Sequence, residues 1–311
     1  MSGPTHAECE ALRRTPGATA VLFLTDRCPV GCDHCSVGSL PRSPRITDWN
    51  LFTGIVDELG SREGLQLVAL TGGEPFAERR GLQLATEALT ANGKTTAVFT
   101  SGHWAGPRIP LWIRRVLQAT GTVYLSTDSF HAASVKPPTV EAAARAVLES
   151  DCTLVVQVAG SREEADRWAD RIPEAEVHRV PILPYGRGRL LRQGMAERPV
   201  ADLGACHLLN SPTIRYDGTV TACCNEEVII GGGPDRLRRQ ATRPEELGGI
   251  LDGLAADPLH RILRRTGPAA LASLLTQDRA TLCGACWTLQ DARSRQRHIS
   301  VLFDLLESEA T

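Results

Sequence analysis

From about residue 18 to residue 183, short apolar runs alternate with segments of helical period. A chain that repeats strand and helix in this way can bury both faces of its strands only as a parallel sheet covered by helices. The expected strands are Ala18 to Thr25, Leu65 to Thr71, Thr95 to Ser101, Thr122 to Thr127, Cys152 to Ala159 and Glu176 to Leu183. Between them, Phe52, Ile55, Val56 and Leu59, then Leu82, Ala85 and Leu89, then Ala165, Trp168, Ala169 and Ile172 give helices with one apolar face. Gly93, Pro110, Thr139 and the pair Ser161 with Glu164 mark helix ends.

After Leu183 the alternation stops, and Pro181, Pro184, Gly186 and Gly188 mark a change of structure, which sets a domain boundary near residue 195. The stretch Thr213 to Tyr216, the pair Asp217-Gly218 and Thr219 to Ala222 reads as a β-hairpin with a tight turn. Gly231 to Gly233 with Pro234 reads as a flexible joint, and the remainder as helical around Cys283 and Cys286. The expected organisation is therefore an N-terminal arm over 1–17, an α/β unit over 18–195 and a small α+β module over 196–311.

With 311 residues, 42% hydrophobic content and a net charge of -2, the chain has the makeup of a soluble globular protein, not one that collects nucleic acid or anionic membrane by long-range charge. Arg236, Arg238, Arg239 and Arg243 lack interleaved aromatic residues and read as a solvated helix face rather than a nucleic-acid patch. No run approaches the roughly 18 apolar residues of a membrane span, and the first residues have no signal-peptide core, so the expected location is cytoplasmic. Ten cysteines in such a chain point to metal or redox chemistry rather than a disulfide framework.

Directly after the first strand, Cys28, Cys32 and Cys35 put three thiols on a loop that Pro29 and Gly31 keep from being helical. Four-iron clusters generally use four cysteines, so three leave one iron without a protein thiolate. An open position of this kind is what catalytic metal sites keep. The alternatives are a structural zinc site, or a cluster completed by a distant cysteine to carry electrons; zinc more usually takes pairs two residues apart.

This Cys-x3-Cys-x2-Cys loop after the first strand resembles the hallmark of the radical S-adenosylmethionine (SAM) superfamily. The resemblance implies a partial, TIM-like (β/α)6 barrel, a 4Fe-4S cluster on Cys28, Cys32 and Cys35, and one-electron cleavage of SAM to methionine and a 5′-deoxyadenosyl radical. The position before the last cysteine is usually aromatic in that family and is His34 here. Gly72, Gly73, Glu74 and Pro75, closing the second strand, look like the family's GGEP element, which contacts the SAM ammonium. A glycine pair there also lets backbone approach a ligand closely. Thr100-Ser101-Gly102 matches the place of the family's Thr-Asn-Gly, and Ser126 with Asp128 that of its Ser-x-Asp, where they could hydrogen-bond the SAM ribose or the substrate or simply cap a helix. Arg187, in a segment resembling the family's Pro-x-Gly-Arg, is a candidate to bind a carboxylate with its planar fork, or a surface arginine in a turn.

Cys206, Cys223, Cys283 and Cys286 could supply four thiolates for a second cluster, with a four-cysteine zinc knuckle as the competing reading. The spacing around Gly218 resembles the SPASM and twitch modules of radical SAM enzymes, and the cysteine count suits the twitch form with one auxiliary 4Fe-4S cluster. Spacing alone leaves the choice between Cys223 and Cys224 open; the family's glycine-to-cysteine interval favours Cys223. Cys224 is then a spare thiol, either inert or a hydrogen-atom donor to a substrate radical, as in related peptide and aminoglycoside epimerases.

These resemblances imply an enzyme that tailors a ribosomal peptide or a small natural product by oxidation, crosslinking or epimerisation. It would use an electron donor such as flavodoxin or ferredoxin and could work with a separate peptide-recognition protein. The competing class is an iron-sulfur electron carrier or a zinc-binding scaffold without SAM chemistry.

Overall fold

The computed structural model describes residues 3–191 and 194–291. Residues 1–2, 192–193 and 292–311, which the expected arm, barrel and C-terminal module include, lie outside the described residues.

Eleven strands and ten α-helices form the described chain. The strands are β1 (Thr19–Phe23), β2 (Leu67–Thr71), β3 (Thr95–Thr100), β4 (Thr122–Ser126), β5 (Thr153–Val158), β6 (Glu176–Arg179), β7 (Arg198–Pro199), β8 (Thr213–Arg215), β9 (Thr219–Thr221), β10 (Arg238–Gln240) and β11 (Arg279–Ala280). The helices are α1 (His6–Arg14), α2 (Trp49–Ser61), α3 (Arg79–Ala91), α4 (Leu111–Gln118), α5 (Pro137–Leu148), α6 (Arg162–Arg171), α7 (Glu226–Ile229), α8 (Leu247–Ala256), α9 (Pro258–Arg265) and α10 (Leu282–Gln290).

β1 to β6 lie side by side in chain order and pair in parallel, with a helix between each consecutive pair. This is the expected six-unit α/β sheet, and it is open: β6 and β10 are its two edges. Alternation sorts the side chains to two faces. Leu22, Val68, Leu70, Val98, Val123, Leu125 and Val156 are fully buried in the main core with Phe52, Ile55, Leu82, Leu89 and Leu117 of the helices. Their neighbours Val21, Phe23, Ala69, Thr71, Ala97, Phe99, Tyr124, Ser126 and Gln157 line a cavity on the opposite face. Thus the strands read as continuous apolar runs because both of their faces are occupied, one by helices and one by the walls of a site.

The helix starts follow their caps. Asp48 and Ser161 accept from the backbone N–H groups of Leu51 and Glu164 at the starts of α2 and α6. Helix α5 begins three residues earlier than a cap at Thr139 would place it, because Pro137 and Pro138 fix the helical φ of its first turn.

Three features depart from the sequence expectation. The N-terminal arm contains α1, closed by a capping box between Thr5 and Glu8, whose Cys9 packs with Leu67, Ala97, Tyr124 and Val155 across the inner face of the sheet. The hairpin of β8 and β9 turns at Asp217-Gly218 as expected, yet β8 also pairs in parallel with β1, so the sheet continues past residue 195. Arg238 and Arg239 lie on β10, an edge strand paired with β9, and Arg236 on the 3-10 turn before it, not on a helix face. Residues 238–240 follow that turn directly and take extended backbone, which propensity alone does not distinguish from a short helix. No helix among the described residues is long and apolar enough to cross a membrane.

Candidate functional site

The inner face of the sheet opens into a cavity of about 700 Å³. Cys28, Cys32 and Cys35 line it together with Gly72, Gly73, Glu74, Ser126, His131, Cys224 and Cys283. The three early thiols are free and sit in the loop after β1. Their loop is pinned by backbone bonds from Cys28 N–H to the Leu40 carbonyl at 3.1 Å and from Cys35 N–H to the Cys32 carbonyl at 3.3 Å. A hydrogen bond between the Cys32 and Cys35 side chains pulls the Cys35 thiol down to about 6 and holds Cys32 protonated. Burial pushes the Cys28 thiol up. Metal binding would displace both protons, since only thiolates are ligands.

Arg187 holds this loop rather than a carboxylate. Its Nε and Nη2 both donate to the Cys32 carbonyl, at 2.9 and 2.7 Å, and its backbone N–H donates to the Cys35 carbonyl at 2.9 Å. Nη1 is buried without a partner among the described residues, so one donor of the fork remains for a bound group. Gly186 has φ +51°, and a Cβ there would lie 2.5 Å from the Cys35 carbonyl oxygen. Arg187→Lys keeps the charge but replaces a two-pronged clasp by a point donor. It is expected to cost about 1–2 kcal/mol and to speed loss of iron from the reconstituted protein, read by urea unfolding and by chelator-release kinetics.

The glycine pair of the second strand serves backbone contact of a different kind from the one expected. A Cβ on Gly72, whose φ is +143°, would sit 2.5 Å from the Thr25 carbonyl oxygen, and one on Gly73 would press still closer on that of Arg27. The close approach is therefore to the chain leading into the cysteine loop, and both glycines also line the cavity. Pro75 opens a 3-10 turn and is buried behind them.

Glu74 lines the cavity with a carboxylate that is already engaged. It is 1% exposed and accepts from Ser101 N–H at 2.9 Å, Ser101 Oγ at 2.6 Å, Thr100 Oγ1 at 2.8 Å and Phe76 N–H at 3.2 Å. His103 Nδ1 lies 3.5 Å away. Burial raises its pKa, but His103 and Ser101 outweigh it and hold the carboxyl below its ordinary value.

Asp128 is likewise turned to the protein. Its Oδ1 accepts from the N–H groups of Phe130 and His131, at 2.9 and 3.0 Å, and it pairs with His131 Nδ1 at 2.9 Å and His34 Nε2 at 3.5 Å. Burial works against ionisation, yet His131 and His34 hold the carboxyl below its ordinary value. Of the expected pair, Ser126 lines the cavity and Asp128 orders the turn below it. His34 stacks on Phe130 with ring centroids 4.8 Å apart, which gives the position an aromatic contact despite its polar ring. Donor atoms of Cys32, His34 and His131 lie within 4.8 Å of one another, the one such trio among the described residues.

In the C-terminal part, Cys206, Cys223, Cys283 and Cys286 are all free and buried, and burial pushes each thiol up. Cys283 and Cys286 stand on α10, whose start is capped by Thr281. Cys283 borders the cavity, whereas Cys206, Cys223 and Cys286 do not. The neighbouring Cys224 faces it, with Arg13 Nη2 of α1 at 3.9 Å from its sulfur. Burial pushes the Cys224 thiol up to about 11 against the pull of Arg13.

Sequence reasoning missed Arg13, Tyr185, Asn225 and Glu226, all of which line the cavity. Asn225 had a readable signal, since Asn followed by Glu226 and Glu227 is the composition of a helix start. Tyr185 fills the unspecified position of the Pro-x-Gly-Arg segment, and Arg13 and Glu226 lie in no motif.

Residues 22–150 match the family model of the radical SAM superfamily. The chain is 19% identical over 295 residues, 87% of its own length and 91% of the relative's, to YydG of Bacillus subtilis (strain 168), which is named for peptide biosynthesis. Among solved structures it is similar to Streptococcus suis SuiB bound to precursor peptide SuiA, with a TM-score of 0.59 at 13% identity, covering 89% of this chain and 78% of that one. It is also similar to anSMEcpe with bound AdoMet, with a TM-score of 0.53 at 12% identity, covering 93% and 99% of the two chains.

Proposed function

We propose that the chain, whose residues 22–150 match the radical SAM family model, is a radical SAM enzyme that epimerises a residue within a peptide, with Cys224 as the hydrogen-atom donor. The observation that carries this reading is that Cys224 lines the same cavity as Cys28, Cys32 and Cys35. YydG is named for peptide biosynthesis and SuiB was solved with a precursor peptide, which supports a peptide as substrate.

On this reading Cys28, Cys32 and Cys35 hold the catalytic cluster, and Gly72, Gly73 and Glu74 border the space for SAM, with Arg187 holding the cysteine loop from behind. When bound, SAM and a 4Fe-4S cluster supply one-electron cleavage and a radical able to take a hydrogen atom from carbon. The protein's task is to hold one substrate C–H bond in place and to exclude water. Cys224 then returns a hydrogen atom from the opposite face: its S–H bond breaks, a C–H bond of inverted configuration forms, and a sulfur radical remains. One electron and one proton restore the thiol, the electron coming from a low-potential one-electron carrier of the flavodoxin or ferredoxin kind. Arg13 packs on the sulfur and fixes its direction.

Residues 196–311 are the proposed auxiliary module, with Cys206, Cys223, Cys283 and Cys286 as ligands of a second 4Fe-4S cluster. The position of Cys224 on the cavity and of Cys223 among the other buried thiols supports Cys223 as the ligand.

The test is product mass in heavy water. Purified enzyme exchanged into D2O and given a candidate peptide should yield product one mass unit heavier with one inverted residue. Cys224→Ala should still form 5′-deoxyadenosine while the inverted product disappears. A product lighter by two hydrogens from both proteins would instead establish oxidation.

A further inference from the structure

Asn225 is 3% exposed and caps α7, its Oδ1 accepting from Val228 N–H at 3.2 Å. That cap determines which way the amide points: the oxygen is committed, so Nδ2 is left to donate elsewhere. It faces the sulfur of Cys283 at 3.4 Å and the hydroxyl of Tyr185 at 3.2 Å. Tyr185 donates onward to Met195 Sδ at 3.4 Å, and Tyr185, Asn225 and Cys283 all border the cavity.

A second buried amide stands on the helix that carries Cys283 and Cys286. Gln290 is 1% exposed, one helical turn beyond Cys286 on α10, and both its amide atoms lack a hydrogen-bond partner among the described residues. A buried amide without a partner is destabilising, so its N–H groups call for an acceptor. Cys286 lies four residues earlier on the same helix, and residues four apart share a helix face, so a sulfur is the acceptor that its position offers. N–H donors to cluster sulfurs stabilise the more negative, reduced state and so raise the reduction potential.

We propose that Asn225 and Gln290 are positioning residues of the auxiliary cluster that raise its reduction potential by donating N–H to its sulfur ligands, Asn225 also joining that cluster to the substrate cavity through Tyr185. This rests on the reading that Cys206, Cys223, Cys283 and Cys286 hold a cluster. A higher potential keeps that cluster reducible by the same carrier that serves the catalytic one.

The test is a redox titration of the full-length reconstituted protein, followed by electron paramagnetic resonance, with iron counted per chain. Asn225→Asp and Asn225→Ser both preserve an N-cap but lose the N–H donor, so helix α7 keeps its start. Gln290→Leu removes the second donor independently. All three should retain about eight irons per chain and shift the auxiliary signal to lower potential. Asn225→Asp, which adds negative charge as well, should shift most. A tenfold fall in its reduced-to-oxidised ratio at the wild-type midpoint corresponds to about 59 mV for one electron. An unchanged midpoint in both Asn225 variants with full iron would overturn the tuning. About four irons in the wild-type protein would overturn the auxiliary-cluster reading itself, and the inference with it.

Discussion

Replacing Cys28, Cys32 and Cys35 together by alanine is expected to reduce 5′-deoxyadenosine formation from SAM by about a millionfold or more, to below detection. The three thiols share one loop and one cavity wall, and that loop is held from outside by Arg187, Gly186 and Gly73 rather than by its own sulfurs. The triple variant should therefore fold and, on the two-cluster reading proposed above, lose only the iron of the first loop. Anaerobic reconstitution with iron and sulfide, iron analysis and chromatography of the nucleoside products give the answer. Normal nucleoside yield from the triple variant would remove these three residues from the chemistry.

Glu74→Ala should cost about 3–5 kcal/mol of unfolding free energy, measured by urea denaturation. The carboxylate is the common acceptor for the ends of β2 and β3, and its loss strands the N–H groups of Ser101 and Phe76 and two hydroxyls in a buried space. Glu74→Gln keeps the shape but turns two hydrogens toward these donors, and should cost about 1–3 kcal/mol. The pH dependence has a definite sign. Because the folded protein holds Glu74 below its ordinary pKa of 4.5, its contribution is complete above that pH and is lost as pH falls through the lower folded value. Glu74→Gln should accordingly flatten the acid limb of the stability curve below about pH 4.5 while leaving the neutral region parallel to wild type.

The first five parallel strands were legible because each is a largely buried apolar run of strand length separated by a helical period; the sixth, the half-buried edge strand Glu176–Arg179, ends four residues before the expected Leu183. Ends were less so: the first strand stops at Phe23, not Thr25, since Thr25 instead bonds the Pro44 carbonyl and the turn of the cysteine loop. The early cysteines and the glycine pair announced themselves by spacing. What Glu74, Asp128 and Arg187 do was hidden, because a motif specifies a residue's place and not its partner. The motifs assign all three to a ligand, and all three spend hydrogen bonds on backbone or neighbouring side chains, with Arg187 keeping one donor free. Helix α1 was invisible for another reason: its nine residues are too short and too polar to show a period, and tertiary contact through Cys9 anchors it. The pairing of β8 with β1 joins segments some 190 residues apart in sequence, which local pattern cannot report.

That pairing has a mechanical consequence. Val21 to Phe23 lie against Thr213 to Arg215 on one side and Ala69 to Thr71 on the other. The strand that delivers the first cysteine loop and the hairpin that delivers Cys223 are thus rungs of one ladder, with no hinge between them. Substrate arrival can reshape loops around the cavity, but moving the strand of the first cysteine loop away from this hairpin would break main-chain hydrogen bonds.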